Sequence, residues 1–352
     1  MDNGGASGHI VLRSAEAESA TEAQPAQDTA QLLPLSAHDS TALSHKARQL
    51  AHILQKDDSL SLADLACTLQ RHRTAFPHRL AIAADGREQL RELCDKAQTE
   101  RPDPDFVKGI ADVEGKIVFV FPGQGSQWPA MAARLAQQEP QFAAVLHRCD
   151  DELKELLGWS VWDVTTGRGG PPLVQSDVVQ PCLFAFAVSL AALWRHFGIE
   201  PAAVVGHSQG EIAAACVAGQ LSLQQAAQIV AKRAKLLRKL QGRGAMALLE
   251  TDEATQRAIL HRHPDVSVAA ENSPTSIVLA GEPAAIDAFV SDAAAQGAFA
   301  KRVQVDYASH CAQVDMIVPE LQAELSAVSG SHGAIPLYST VDDAVCYGPE
   351  TN

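Results

Sequence analysis

The chain has 352 residues, 46% of them hydrophobic and 20% charged. That is ordinary globular composition, with room for one large and one smaller domain or for two to three modest ones. The formal net charge of −14 at pH 7 excludes the basic face that a nucleic-acid binder needs. It gives no sign of an anionic membrane partner, yet leaves open an anionic small substrate held by one buried arginine. Seven cysteines with no CxxC pair predict reduced thiols and a cytoplasmic location. His261 and His263 have no cysteine nearby, so no metal site is expected.

The start, MDNGGASGHI, lacks the basic and apolar regions of a signal peptide, and residues 1–30 read as a mobile, polar lead-in. A strand is predicted over QLLPLSA, followed by helices on the spacing of Leu43, Ala47 and Leu50 and of Leu62, Leu65 and Leu69. A strand over 78–85 and a helix over 87–97 complete a small α/β unit that ends in the linker TERPDPDFV, 99–107. Next, the apolar run Ile117–Phe121 enters Pro122-Gly123-Gln124-Gly125, the pattern of a buried parallel strand. Helices are expected over 131–138 and 141–157, a Gly/Pro loop over 165–172, and a buried helix over 182–194 that is too short to span a bilayer. A second buried strand, 201–210, leads into a small-residue helix, 210–219, and a longer helix, 221–240. Alternating strands and helices predict an α/β sheet. From 244 the rhythm becomes β-α-β-β-α-β, a split-βαβ, ferredoxin-like insert over 244–305.

The stretch Gly206-His207-Ser208-Gln209-Gly210 stands at a strand–helix join. Glycines at both ends allow a tight turn that exposes the serine Oγ, and the next helix aims its free N–H groups at the same spot. The pentapeptide alone fits an incidental Gly-rich turn equally well; the strand before it and the helix after it favour a nucleophile. Serine needs a general base. Among 13 histidines, His310 is best placed, because it follows the return from the insert in VDYASHC; His207 adjoins the serine, but turn neighbours usually point apart. PGQGSQ, 122–127, is either a plain β–α turn or a second source of oxyanion-binding N–H groups, so that Gln124 and Gln209 become candidates.

FPGQGSQ (121–127), GHSQGE (206–211), AKRAKLL (231–237), GAMA (244–247) and YASHC (307–311) together resemble acyl-CoA:acyl-carrier-protein acyltransferases, and more closely the acyltransferase domain of a modular type I polyketide synthase. The resemblance runs over 31–340. It implies an α/β-hydrolase-like core with a parallel sheet (108–243 and 306–352), the ferredoxin-like small subdomain (244–305) and an α/β linker subdomain (31–107) of the kind that follows a ketosynthase. GASGHIVL, 5–12, faintly resembles a ketosynthase tail. The resemblance implies that Ser208 carries the acyl ester, that His310 is its base, and that the backbone N–H groups of Gln124 and Gln209 form the oxyanion hole. Arg233 matches the arginine that grips the free carboxylate of the extender unit; without the family it would read as one cation on the solvated helix face KRAKLLRK. Tyr307 and Ser309 of YASH, Gln209, and Gln180 of QSDVVQ follow the methylmalonyl-type pattern, with a departure at Ser176. The implied donors are methylmalonyl-CoA or, as the alternative, malonyl-CoA. The implied acceptor is the phosphopantetheine of an acyl carrier protein, with no tightly bound cofactor and with a ketosynthase as neighbour.

The family continues beyond PLYST, 336–340, through a segment that orients the catalytic histidine, whereas here VDDAVCYGPETN follows. The expectation is therefore a C-terminally truncated domain, with an inactive scaffold fragment as the rival reading. A serine hydrolase is the third; it would require an acidic triad member between serine and histidine.

Overall fold

The computed structural model describes residues 30–99, 101–341 and 344–348; the lead-in 1–29, with GASGHIVL, and residues 342, 343 and 349–352 of the tail lie outside them. The chain divides into two compact units, Met1–Gly115 and Lys116–Asn352.

The first unit contains β1 (Gln31–Ala37), α1 (Ser40–Lys56), α2 (Leu62–Arg71), β2 (His78–Ala84), α3 (Arg87–Lys96) and β3 (Phe106–Ile110). The three strands form an antiparallel sheet in the order β1-β2-β3. Alternation along β1 and β2 turns Leu33 and Leu35 inward, opposite Ile82 and Leu80. Leu43, Leu50 and Leu54 of α1 and Leu90 and Leu93 of α3 close the same core. Asp39 starts α1 by accepting from Ala42 N at 2.7 Å, one of the free donors of a helix start. The linker expected over 99–107 ends inside this sheet, because Phe106 pairs with Ile82. The Asp103 carboxylate accepts from Asp105 N at 3.0 Å and turns the chain back, so the unit extends to Gly115.

The second unit runs β4 (Val118–Phe121), α4 (Ala133–Gln138), α5 (Pro140–Leu157), α6 (Val161–Thr166), α7 (Ser176–His196), β5 (Ala203–Gly206), α8 (Gly210–Ala218), α9 (Leu223–Leu237), β6 (Ala245–Glu250), α10 (Glu253–Leu260), β7 (Val266–Ser273), β8 (Ser276–Gly281), α11 (Pro283–Ala295), β9 (Phe299–Arg302), α12 (Val318–Leu325), β10 (Leu337–Ser339) and β11 (Ala344–Cys346). Its larger sheet has the order β11-β10-β5-β4, parallel from β10 through β5 to β4 and antiparallel at β11. Phe119, Val204, Leu337 and Cys346 lie in one row across it and turn toward α8 and the core. The opposite row is Val120, Val205, Tyr338 and Val345. Here the expectation of a fully buried strand is corrected: Val120 is 68% and Tyr338 50% exposed. A parallel strand reads as a solid apolar run when both faces are covered; among the described residues only α8 packs closely on β4 and β5.

Helix α7 also differs from expectation. It starts at Ser176, continues through Pro181 and spans 21 residues. Proline removes one ladder bond and normally breaks a helix, but Gln180, Pro181 and Cys182 are all buried, and packing holds the two halves in line. The helix is long and apolar enough to cross a bilayer, yet 78% of its apolar window is buried inside the protein. It packs mainly on α5 and α9.

The smaller sheet is antiparallel, in the order β7-β8-β6-β9, and is filled from one side by Ile286 and Phe289 of α11 and Ile259 of α10. Its chain order, β-α-β-β-α-β, is the one read from residues 244–305. All seven cysteines are free. Burial pushes the Cys149 thiol up to about 12, so it is an inert core group rather than a nucleophile.

Candidate active site

Ser208 sits between the end of β5 and the start of α8 with φ 54°, in the left-handed region that costs a residue with a side chain about 1–2 kcal/mol. The glycines around it explain how the turn fits. A Cβ on Gly206 would come 2.3 Å from Glu211 Cα, and one on Gly210 would come 2.2 Å from the Phe121 carbonyl oxygen. His207 N donates to that same oxygen at 2.9 Å, and Phe121 pairs with Gly206. The turn is thereby fastened to the end of β4. The loop that follows β4 also approaches closely: a Cβ on Gly123 would lie 3.1 Å from His207 Nδ1 and 3.6 Å from Ser208 Cβ.

His310 arrives on the loop after β9, also with a left-handed φ, 55°. Its Nε2 lies 2.8 Å from Ser208 Oγ, which joins the two residues that the sequence pairs as nucleophile and base. His310 is accessible, yet its ring is crowded enough that desolvation holds its pKa below the ordinary value, with the charges of Arg233 and His207 adding to the effect. A lowered pKa keeps the imidazole neutral, and so basic, in more acidic solution. The rate at which Ser208 reacts with a neutral fluorophosphonate should therefore fall to half only below about pH 6.5, the ordinary histidine value. A half-point at or above that pH would contradict the lowered pKa.

Gln124 and Gln209 flank the serine, one on the loop after β4 and one at the threshold of α8. Neither backbone N–H donates to an acceptor among the described residues. The side-chain atoms Gln124 Nε2 and Gln209 Oε1 are buried without partners. Buried polar groups are nearly always satisfied, and Gln220 Oε1 and Gln313 Oε1 are the other buried side-chain atoms among the described residues without a partner.

Arg233 lies on α9, whose Ala231 and Ala234 are buried. Three of its basic neighbours are engaged elsewhere: Lys232 donates to the Glu324 carbonyl, Arg238 pairs with Asp177, and Lys239 pairs with Glu320. Arg233 instead lines a cavity of about 1320 Å³ shared with Ser208 and His310. Its Nη1 donates to Gln180 Oε1. The Gln180 amide nitrogen donates to Tyr307 Oη at 3.3 Å and to Gln124 Oε1 at 3.4 Å. Gln180 thus holds Arg233 and Tyr307 rather than standing free. Ser309 Oγ donates to Met246 Sδ at 3.1 Å.

The structure gathers Ser208, His310, Gln124, Gln209, Arg233, Gln180, Tyr307 and Ser309 at one place. Sequence reasoning missed Met246 of β6, which seats Ser309, and Ala270, Glu271 and Asn272 of β7, which line the cavity. The GAMA segment marked the first of these without revealing its partner; β7 carries no local signal.

The sequence profile described as "Acyl transferase domain" matches residues 118–344, and that of "CurL-like, PKS C-terminal" matches 31–94. Polyketide synthase GfsA of Streptomyces halstedii is 41% identical over 342 residues, 96% of this chain but 5% of its own length. This chain therefore spans a small part of that curated relative. Among solved structures, the acyltransferase domain from module 8 of the salinomycin polyketide synthase superposes with TM-score 0.84 at 38% identity, covering 92% of this chain and 77% of the other. The acyl transferase domain of SpnD, solved in complex with 2-(pent-4-yn-1-yl)malonyl, gives TM-score 0.77 at 27% identity, with coverage of 90% and 74%.

Proposed function

This chain belongs to the acyltransferase domains of modular polyketide synthases, and on that premise we propose that it loads an extender unit, methylmalonyl, from CoA onto the phosphopantetheine thiol of an acyl carrier protein. The observation that carries the reading is the Ser208 Oγ to His310 Nε2 contact of 2.8 Å in a cavity that Arg233 also lines. His310 takes the Ser208 proton as Oγ attacks the thioester carbonyl. The N–H groups of Gln124 and Gln209 receive the oxyanion. The tetrahedral intermediate collapses as CoA leaves with the proton from His310, and the acyl group remains as a serine ester. The carrier thiol then gives its proton to His310, attacks the ester and restores Ser208. Arg233 holds the free carboxylate of the donor through parallel charge-assisted bonds. The acyl-CoA and the phosphopantetheine are substrates; the residues at the site call for no further cofactor. A cytoplasmic setting, with a ketosynthase in the same assembly, follows from this reading.

Methylmalonyl is preferred over malonyl because Ser309 is small and tied back to Met246, which leaves space beside Tyr307 for an α-methyl group. One methyl discriminates by only about 1–3 kcal/mol. The hydrolase reading lacks support: among the described residues no carboxylate bonds to His310, whereas that mechanism expects an acidic third member.

The test is to incubate the chain with radiolabelled methylmalonyl-CoA or malonyl-CoA and then to add a phosphopantetheinylated carrier protein. The expected result is label on Ser208, taken up faster from methylmalonyl-CoA and passed on to the carrier. Preference for malonyl-CoA would overturn the specificity. Release of free acid without transfer would favour the hydrolase, and no label from either donor would favour an inactive scaffold.

A further inference from the structure

The segment that carries Tyr307, Ser309 and His310 is anchored outside the acyl cavity. Asp306, at its head, receives the side chain and the backbone of Ser176: Ser176 Oγ donates to Oδ1, and Ser176 N lies 3.3 and 3.2 Å from Oδ1 and Oδ2. Ser176 is the first residue of α7 and is only 1% exposed. A carboxylate at this end of a 21-residue helix also meets the positive end of its dipole. The Asp306 carbonyl accepts from Gly242 N at 2.7 Å, just beyond α9. Beside this contact, buried Asp177 pairs with Arg238 and accepts from Gln241 Nε2 at 3.3 Å.

Three elements therefore meet in one polar belt: the first turn of α7, the end of α9 and Asp306. Gln180 lies about one helical turn along α7 from Ser176, and Arg233 lies just over a turn before Arg238. None of the belt residues lines the cavity over Ser208; they bond to one another at the ends of the elements that carry Gln180, Arg233 and Tyr307. Ser176 is also where segment 175–180 departs from the pattern it resembles.

We propose that Ser176 and Asp306 are positioning residues. By clamping the Tyr307–His310 segment to the start of α7, they set the room left for the α-substituent of the acyl donor beside Tyr307 and Gln180. The proposal rests on the acyl-loading reading above, and its test separates the two. In the whole chain, Ser176→Ala, Asp306→Asn and the double variant are compared with the parent in two measurements. One is hydrogen–deuterium exchange of the peptide covering 303–311. The other is the ratio of kcat/KM for methylmalonyl-CoA to that for malonyl-CoA.

Each single variant should exchange about tenfold faster over 306–310 and should lose about tenfold of the ratio, much of what one methyl group can discriminate. The double variant should lose no more than either single one, as expected of partners in one contact. Unchanged exchange over 306–310 in both single variants would overturn the clamp. An equal fall for both donors, leaving the ratio unchanged, would reduce the belt to general support and overturn its role in selection. Should Asp306→Asn fail to fold, Ser176→Ala alone decides. If the parent chain loads neither acyl group, the acyl-loading reading fails while the exchange measurement still judges the clamp.

Discussion

Replacing Ser208 with alanine is expected to abolish acyl loading, a fall of about 10⁴–10⁶-fold in kcat on the scale known for serine nucleophiles. Among the described residues, no other hydroxyl bonds to the His310 imidazole. Alanine keeps the Cβ, so the left-handed φ of 54° at this position is no harder to hold than with serine, and the fold should survive. The loss would thus report the missing Oγ and not a collapsed turn. Mass spectrometry of the intact protein after exposure to methylmalonyl-CoA is the direct check. An adduct that persists in Ser208→Ala at the parent level would place the acyl group elsewhere and remove the basis of the assignment. His310→Ala should approach the same loss, because the pair acts as one unit.

The second large effect is expected at Arg233. Charge-assisted hydrogen bonds contribute about 1.5–3 kcal/mol each, and a guanidinium can give two to one carboxylate. Arg233→Ala should lower kcat/KM for methylmalonyl-CoA and malonyl-CoA by about 10²–10³-fold, corresponding to ~3–4 kcal/mol. Acetyl-CoA has no free carboxylate and should lose far less, so the preference between donor classes narrows or inverts. The same substitution removes a cation that helps to keep the His310 pKa low. The pKa of His310 should therefore rise, and the acid limb of Ser208 reactivity should move to higher pH. Competition between malonyl-CoA and acetyl-CoA reads the first effect, and fluorophosphonate labelling against pH reads the second. If both donor classes weaken equally, Arg233 is not the carboxylate clamp.

Much of this was legible in the sequence because it depends on local pattern. Gly206 and Gly210 mark the tight turn, alternation marks β1 and β2, and the apolar run marks β4. What escaped depends on distance. Pro181 hid the first turn of α7, since the rule that proline ends a helix gives no weight to the burial on either side of it. Helix α6 falls mostly in the unassigned stretch before the Gly/Pro loop over 165–172, and α12 is too short and too weakly patterned to stand out. The run at β4 suggested burial on both faces, but a strand cannot record whether a helix will cover its second face. At the site, Ser208 and His310 could be paired from the motifs, whereas the bond from Ser309 to Met246 joins a loop to β6 across 63 residues and has no local signature. Gln180 stands out from its motif, but its engagement with Arg233 and Tyr307 required three elements to be seen together.

Ser208 and His310 are separated by 102 residues, and the whole antiparallel sheet β7-β8-β6-β9 is threaded between them. Ser208 leaves the ribosome, and its turn can form, long before the partner that would activate it has been made. The hydroxyl meets His310 Nε2 only once the intervening sheet has folded and returned the chain to it. Closure of so long a loop is a late, non-local event. The Ser208–His310 contact therefore depends on completion of the sheet between its two members.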